Sequence, residues 1–299
     1  MTDIINYSQC PVCYSDNITI KLKVSDHTVS REVFEIWYCS DCTLQFTQNI
    51  PGQRSIGRFY QSEQYISHTD TNQGIINRLY RFVRRFTLQK KKNIIRSNTS
   101  LSKGNLLDVG AGTGAFASYM EQSGWVTTGI EPDEDTRKRA ADLHGIQLAE
   151  SSTLFEMAEN RFDVITLWHV LEHIHALHEY LDQFKKILKP EGSLFIAVPN
   201  YTSYDAAVYG ELWAAYDVPR HLYHFSPDAM QKLLLQHGFR IKKIMPMWFD
   251  SFYVSMLSEK YGSGRLNLLK GFWHGAISNI KTLFNKEKAS SVIYIIVKS

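Results

Sequence analysis

The segment Asp108-Val109-Gly110-Ala111-Gly112-Thr113-Gly114 places an acid directly before a G-x-G-x-G turn. Glycines let a backbone turn sharply and come close to a ligand. The spacing is not the G-x-G-x-x-G of dinucleotide sites. A phosphate drawn to a helix N-terminus would also be repelled by a carboxylate beside it. A cationic ligand suits Asp108 better. S-adenosylmethionine, with a sulfonium, an ammonium and no phosphate, has the right charges. Glu131 stands at the end of the next apolar run, where a carboxylate can accept both hydroxyls of a ribose.

Two further constellations carry chemistry. Cys10-Pro11-Val12-Cys13 and Cys39-Ser40-Asp41-Cys42 are C-x2-C pairs, and Cys10, Cys13, Cys39 and Cys42 are the only cysteines. Four thiolates in this pattern suit tetrahedral Zn2+ with no open position, which makes the role structural. A small module gains from a metal the stability that its core cannot supply. With all four thiols so engaged, none is left as the nucleophile that cytosine C5 methylation needs. The third constellation is Trp168-His169-Val170-Leu171-Glu172-His173, with Arg220-His221-Leu222-Tyr223-His224 further on. Histidine titrates near neutrality, so His169, His173, His221 and His224 are candidate bases. Trp213, Tyr216 and Arg220 would add aromatic walls and a cation. His169 and His173 also have a plainer reading as packing or backbone-bonding residues, and H-x-x-E-H superficially matches a metal motif.

These residues need a scaffold that brings strand ends together. Apolar runs at 106–109, 126–130, 146–149, 163–167, 193–198, 240–245 and 291–298 read as strands. Helical segments lie between them, opened by acids at 133–144, amphipathic at 176–188, and stopped by Gly238 after 227–237. Lys189-Pro190-Glu191-Gly192 reads as a turn. Strands alternating with helices imply a doubly wound, mostly parallel α/β sheet with ligands at the strand carboxyl ends. The expected domains are a zinc-ribbon-like module at 1–50, a helical linker or cap at 51–100, and a cofactor-binding domain at 101–299. Within the last, 251–288 forms a helical insertion before the final strand.

The region from about 104 to 247, with the last strand, resembles the class I S-adenosylmethionine-dependent methyltransferases. The resemblance rests on the 107–114 segment, Gly129-Ile130-Glu131-Pro132, Phe162-Asp163-Val164-Ile165 and Leu188-Lys189-Pro190-Glu191-Gly192-Ser193. It implies a seven-stranded Rossmann-like sheet whose last strand is antiparallel. It implies that Gly110, Ala111, Gly112 and Gly114 line the cofactor, and that Glu131 and Pro132 lie at its ribose. Ser151 and Ser152, after the third strand, would lie at the adenine. Trp168 and His169, at the end of strand four, complete the expected cofactor set. Zinc-bearing sugar C-methyltransferases are similar in the N-terminal cysteines and carry a longer C-terminal region.

Apolar residues make up 44% and charged residues 21%, with a net charge of +3. This near-neutral balance does not favour nucleic acid as the principal partner. The segment 74–96, with Arg78, Arg81, Arg84, Arg85, Lys90, Lys91, Lys92 and Arg96, reads first as an amphipathic helix with a solvated basic face. Neither a signal-peptide pattern nor a membrane-span length is present in the sequence, so a cytoplasmic protein is expected. The expected activity is methylation of a small molecule, most readily at a hydroxyl of a sugar, a lipid-linked compound or a quinone-like ring. The alternatives are an RNA methyltransferase and a non-catalytic zinc-ribbon interaction protein that retains the fold.

Overall fold

The computed structural model describes residues 3–60, 75–265 and 267–299, with backbone alone for 75–85. The side chains of Arg78, Arg81, Arg84 and Arg85 on the basic helix lie outside the described residues.

The central sheet follows from six apolar runs: β6 (Asn105–Val109), β7 (Val126–Ile130), β8 (Phe162–Trp168), β9 (Leu188–Pro199), β11 (Phe239–Pro246) and β12 (Ser291–Lys298). Their order is β11-β12-β9-β8-β6-β7. The pairs from β7 to β9 are parallel, while β12 runs antiparallel to both β9 and β11. Residues 194–198 and 292–296 are buried throughout. Strands covered on both faces need such continuous apolar runs. The helices on the faces include α2 (Ala115–Gln122), α3 (Glu134–His144), α4 (Leu177–Ile187) and α6 (Pro227–Gln236). Asp133 caps α3 through the Thr136 N–H, and Gly238 turns the chain at φ 67° after α6.

The structure departs from the sequence reading in two places. The expected strand at 146–149 is a single parallel bridge between Ile130 and Ala149, so six strands are regular and the seventh is vestigial. The expected turn at 189–192 is a bulge inside β9, between the Phe162–Leu188 and Val164–Ser193 pairings.

The N-terminal part forms β1 (Ile4–Ile5), β2 (Ile18–Ser25), β3 (Val33–Cys39), β4 (Gln45–Thr47) and β5 (Ile50–Pro51). Here β4 pairs with β10 (Tyr223–His224), a strand from the loop that precedes α6. Cys10, Val12, Leu44, Phe46 and Ile50 share one buried cluster with Leu107, Ile165 and Leu222. Helix α1 (Ile75–Thr99) precedes β6, the short α5 (Tyr204–Tyr209) follows β9, and the hairpin α7 (Asp250–Ser263) and α8 (Leu268–Phe284) precedes β12.

Candidate active site

The glycine turn joins β6 to α2, and Gly110, Gly112 and Gly114 all have left-handed φ values of 65°, 55° and 74°. An added Cβ at Gly110 would stand 2.5 Å from Val170, and one at Gly114 would stand 2.6 Å from Ile146. Around Gly112 there is open space. The first contact matters for the site: it presses the histidine segment after β8 directly onto the glycine turn.

Asp108 is buried and accepts a 2.7 Å hydrogen bond from the Thr166 hydroxyl on β8. Burial raises its pKa to about 6, against the Thr166 bond and the nearby Lys91 ammonium. Glu131 accepts from the Gly112 N–H at 2.9 Å and the Asp133 N–H at 3.1 Å. Burial nevertheless raises its pKa. Ala111 donates to the Ile130 carbonyl, and Arg137 ties down the carbonyls of Glu131 and Pro132. The Ile130–Ala149 bridge brings the short 3-10 helix Ser151–Glu156, with Ser151 and Ser152, up beside Glu131. Carboxylates at two neighbouring strand ends, flanking a glycine turn with open space, suit the cation and ribose of S-adenosylmethionine.

Lys91 of α1 was not distinguished from the other basic residues in the sequence. Its ammonium lies 4.5 Å from the Trp168 ring centre and 5.6 Å from that of Phe116. Burial lowers its pKa to about 8, opposed by Asp108 and Asp250. The Trp168 indole N–H is buried without a partner among the described residues. The i, i+3, i+7 spacing of Leu88, Lys91 and Ile95 is the only sequence signal that could have marked Lys91.

His169 sits at φ 58°, a left-handed conformation that non-glycine residues rarely adopt outside special sites. Its Nε2 is 3.0 Å from the Asp250 carboxylate and its Nδ1 is 3.5 Å from Glu172. Burial opposes its charge, but the bonds and attraction of Asp250 and Glu172 outweigh that and lift its pKa to about 10. At neutral pH this ring is a cation between two acids. Asp250 is the first residue of α7 and was missed in the sequence.

His173 is the opposite case. Burial and the neighbouring His221 bring its pKa down to about 4. Its Nδ1 lies 2.9 Å from the Arg220 carbonyl and 3.1 Å from the Tyr60 hydroxyl. A carbonyl only accepts, so Nδ1 carries the hydrogen and Nε2 the lone pair. His221 is held likewise, with Nδ1 2.8 Å from the Ala215 carbonyl, and its ring meets His173 edge to face at 4.6 Å. Glu172 is fully buried, and its Oε1 makes the 3.5 Å ion pair with His169 Nδ1. Glu172, His173 and His221 each offer a ligand atom, and these atoms all lie within 4.8 Å of one another. Three lone-pair donors thus converge beside the glycine turn.

His224 and Arg220 stand apart from that group. His224 is buried beside Tyr216, with Nε2 3.1 Å from the Thr47 hydroxyl, and burial holds its pKa well below the usual value. Arg220 is 1% exposed and is spent on Asp26, Asp217, Thr28 and the Phe59 carbonyl. Trp213 is buried with its indole N–H on Asp205.

The four cysteines lie together, with Cys10–Cys42 and Cys13–Cys39 sulfurs 3.5 and 3.6 Å apart. A tetrahedron with metal–sulfur bonds of about 2.3 Å has edges of about 3.8 Å, so the set fits zinc. The two knuckles repeat one geometry. Cys10 N–H donates to Ser15 and Cys39 N–H to Leu44, both at 2.9 Å, and Tyr14 and Thr43 take left-handed φ.

The chain matches the family model described as a methyltransferase domain over residues 77–244. It aligns over 150 residues at 28% identity with the ubiquinone biosynthesis O-methyltransferase of Maricaulis maris, covering 46% of this chain and 59% of that one. With the same-named protein of Rickettsia prowazekii it is 26% identical over 202 residues, 62% of this chain and 78% of that one. The solved magnesium protoporphyrin IX methyltransferase of Synechocystis PCC 6803, with bound SAH, shares the fold. Its TM-score is 0.51 at 14% identity, covering 82% of this chain and 99% of that one. With this fold and glycine turn, the chain belongs to the methyltransferase-domain family.

Proposed function

We propose that the protein transfers the methyl group of S-adenosylmethionine to a hydroxyl of a small acceptor with a quinone-like ring. The observation that carries this reading is the group of Glu172, His173 and His221 on and beside the segment whose Val170 packs against the glycine turn. Asp108 and Lys91 would bind the charged ends of the methionine moiety, Glu131 the ribose, and Ser151 and Ser152 the adenine side. Methyl transfer from a sulfonium is an in-line displacement, so the acceptor oxygen must be aligned and must give up its proton. The unprotonated Nε2 of His173, backed by the Glu172 carboxylate, takes that proton. His169, held charged by Asp250 and Glu172, positions the segment and does not act as the base. The relatives named for ubiquinone biosynthesis support a quinone-like acceptor, and a small acceptor is compatible with a cytoplasmic enzyme. The four cysteines hold structural zinc.

The convergence of ligand atoms from Glu172, His173 and His221, all within 4.8 Å of one another, favours a second form of this reading. There a divalent cation on Glu172, His173 and His221 would lower the pKa of the acceptor hydroxyl. Titration with S-adenosylhomocysteine, followed by turnover of a catechol with labelled S-adenosylmethionine, tests both. In Glu172→Gln and His173→Ala, turnover should fall by roughly a hundredfold or more, with cofactor affinity nearly unchanged. Chelation and re-addition of Mg2+ or Mn2+ separate the two forms. Wild-type turnover in both variants sinks the assignment, and methylation of RNA with none of catechols replaces it.

A further inference from the structure

Helix α8 is built inside out. Its buried face is Gly271, Gly275, Ser278 and Thr282, while Leu268, Leu269, Phe272, Trp273, Ile280, Leu283 and Phe284 are exposed. Leu269 is 86% and Phe284 88% exposed. At 100° per residue the exposed apolar side chains fill one continuous arc of about 160°.

The orientation is not interchangeable. An added Cβ at Gly271 would stand 2.7 Å from the Met256 Cα, and one at Gly275 would stand 2.8 Å from the Phe252 Cα. The close approach of α8 to α7 admits only the small-residue face, so the large apolar side chains must point outward. A contiguous apolar face of this kind marks an interaction surface.

Its charge says which partner. Lys270 and Lys281 are the only charged residues of α8. From residue 259 to 288 the chain carries Lys260, Arg265, Lys270, Lys281, Lys286 and Lys288 against two acids, Glu259, which pairs with Lys270 at 3.0 Å, and Glu287. On the helical wheel Lys270 and Lys281 fall side by side at one edge of the apolar arc. Long cationic side chains bordering an apolar arc that includes Trp and Phe are the pattern of a helix lying in the interface of an anionic membrane. A second copy of the chain would bring the same excess of positive charge against itself. No helix among the described residues is long and apolar enough to cross a membrane, so the contact is peripheral.

We infer that the α7–α8 hairpin docks the enzyme on an anionic lipid surface through the exposed face of α8. The hairpin begins at Asp250, which holds His169, so docking places the lipid surface on an element attached to the site. The inference stands whatever acceptor is methylated, because its readout is binding.

The test is flotation of the full chain with phosphatidylcholine vesicles that contain phosphatidylglycerol, and with phosphatidylcholine alone. Binding to the first should exceed binding to the second by roughly tenfold and weaken in high salt. Leu269→Asp with Leu283→Asp should abolish it, while S-adenosylhomocysteine affinity, which reports folding, is kept. Wild-type protein that does not float with anionic vesicles overturns the inference. So does unchanged binding in the double variant, or a homodimer in sedimentation that the double variant dissolves.

Discussion

Asp108 is a carboxylate taken out of water and left with one hydroxyl and a nearby ammonium to hold its charge. Its raised pKa means that the anionic form costs stability as pH rises from 3.8 through about 6. A cationic ligand reverses the balance, because it favours the anion and releases a proton on binding below that pH. Affinity for S-adenosylmethionine should therefore weaken as pH falls below about 6, by at most about tenfold per unit. In Asp108→Asn the affinity should be low and flat with pH. Calorimetry across that window checks this, and a flat wild-type profile contradicts it. Two histidines of the site show how little residue type says alone. His169 and His173 lie four positions apart, yet one is held charged by two acids and the other held neutral by burial and a second imidazole.

Among the elements, the sequence of the loop between α5 and β10 suggests aromatic walls and a cation for the site. Arg220 serves instead as a clamp from this loop to Asp26, at the end of β2. Its guanidinium bonds Asp217 through Nε and Nη2, Asp26 through Nη2 and the Phe59 carbonyl through Nη1. Removing one partner of such a buried network leaves uncompensated charge. Arg220→Met should lower stability by about 3–5 kcal/mol in urea unfolding. A loss well under about 1 kcal/mol would mean that the two aspartates do not depend on it. The loop brings His221 to Glu172 and His173 beside the same clamp, so the placement of this group depends on the N-terminal sheet.

At the scale of the whole molecule, that dependence becomes continuity. The cysteine knuckles, β4, β10 and the inner face of the central sheet share buried side chains. Metal loss at the knuckles should accordingly not melt a separate module. Elemental analysis should find one zinc per chain, and its removal by chelator, or Cys39→Ser, should lower the temperature of one cooperative transition that includes the cofactor site. Two resolved transitions, or an unchanged one, would show that the module and the sheet are thermodynamically separate.

Local chemistry was legible in the chain. The acid before the glycine turn, Glu131 at the next strand end, the paired C-x2-C knuckles and the apolar strand runs are short-range patterns. Each depends on the few residues around it, through backbone freedom, hydrogen bonding and side-chain periodicity. The tertiary structure alone decided the rest. It reduced the run at 146–149 to one bridge, chose Lys91 from a row of similar cations, and set Asp250 against His169. It also drew His221 to Glu172 and His173, withdrew Arg220 and His224 into buried contacts, and turned the large side chains of α8 outward. These outcomes join residues far apart in sequence. Each was settled by which surfaces could approach closely enough to pack, and no local pattern of residue types carries that information.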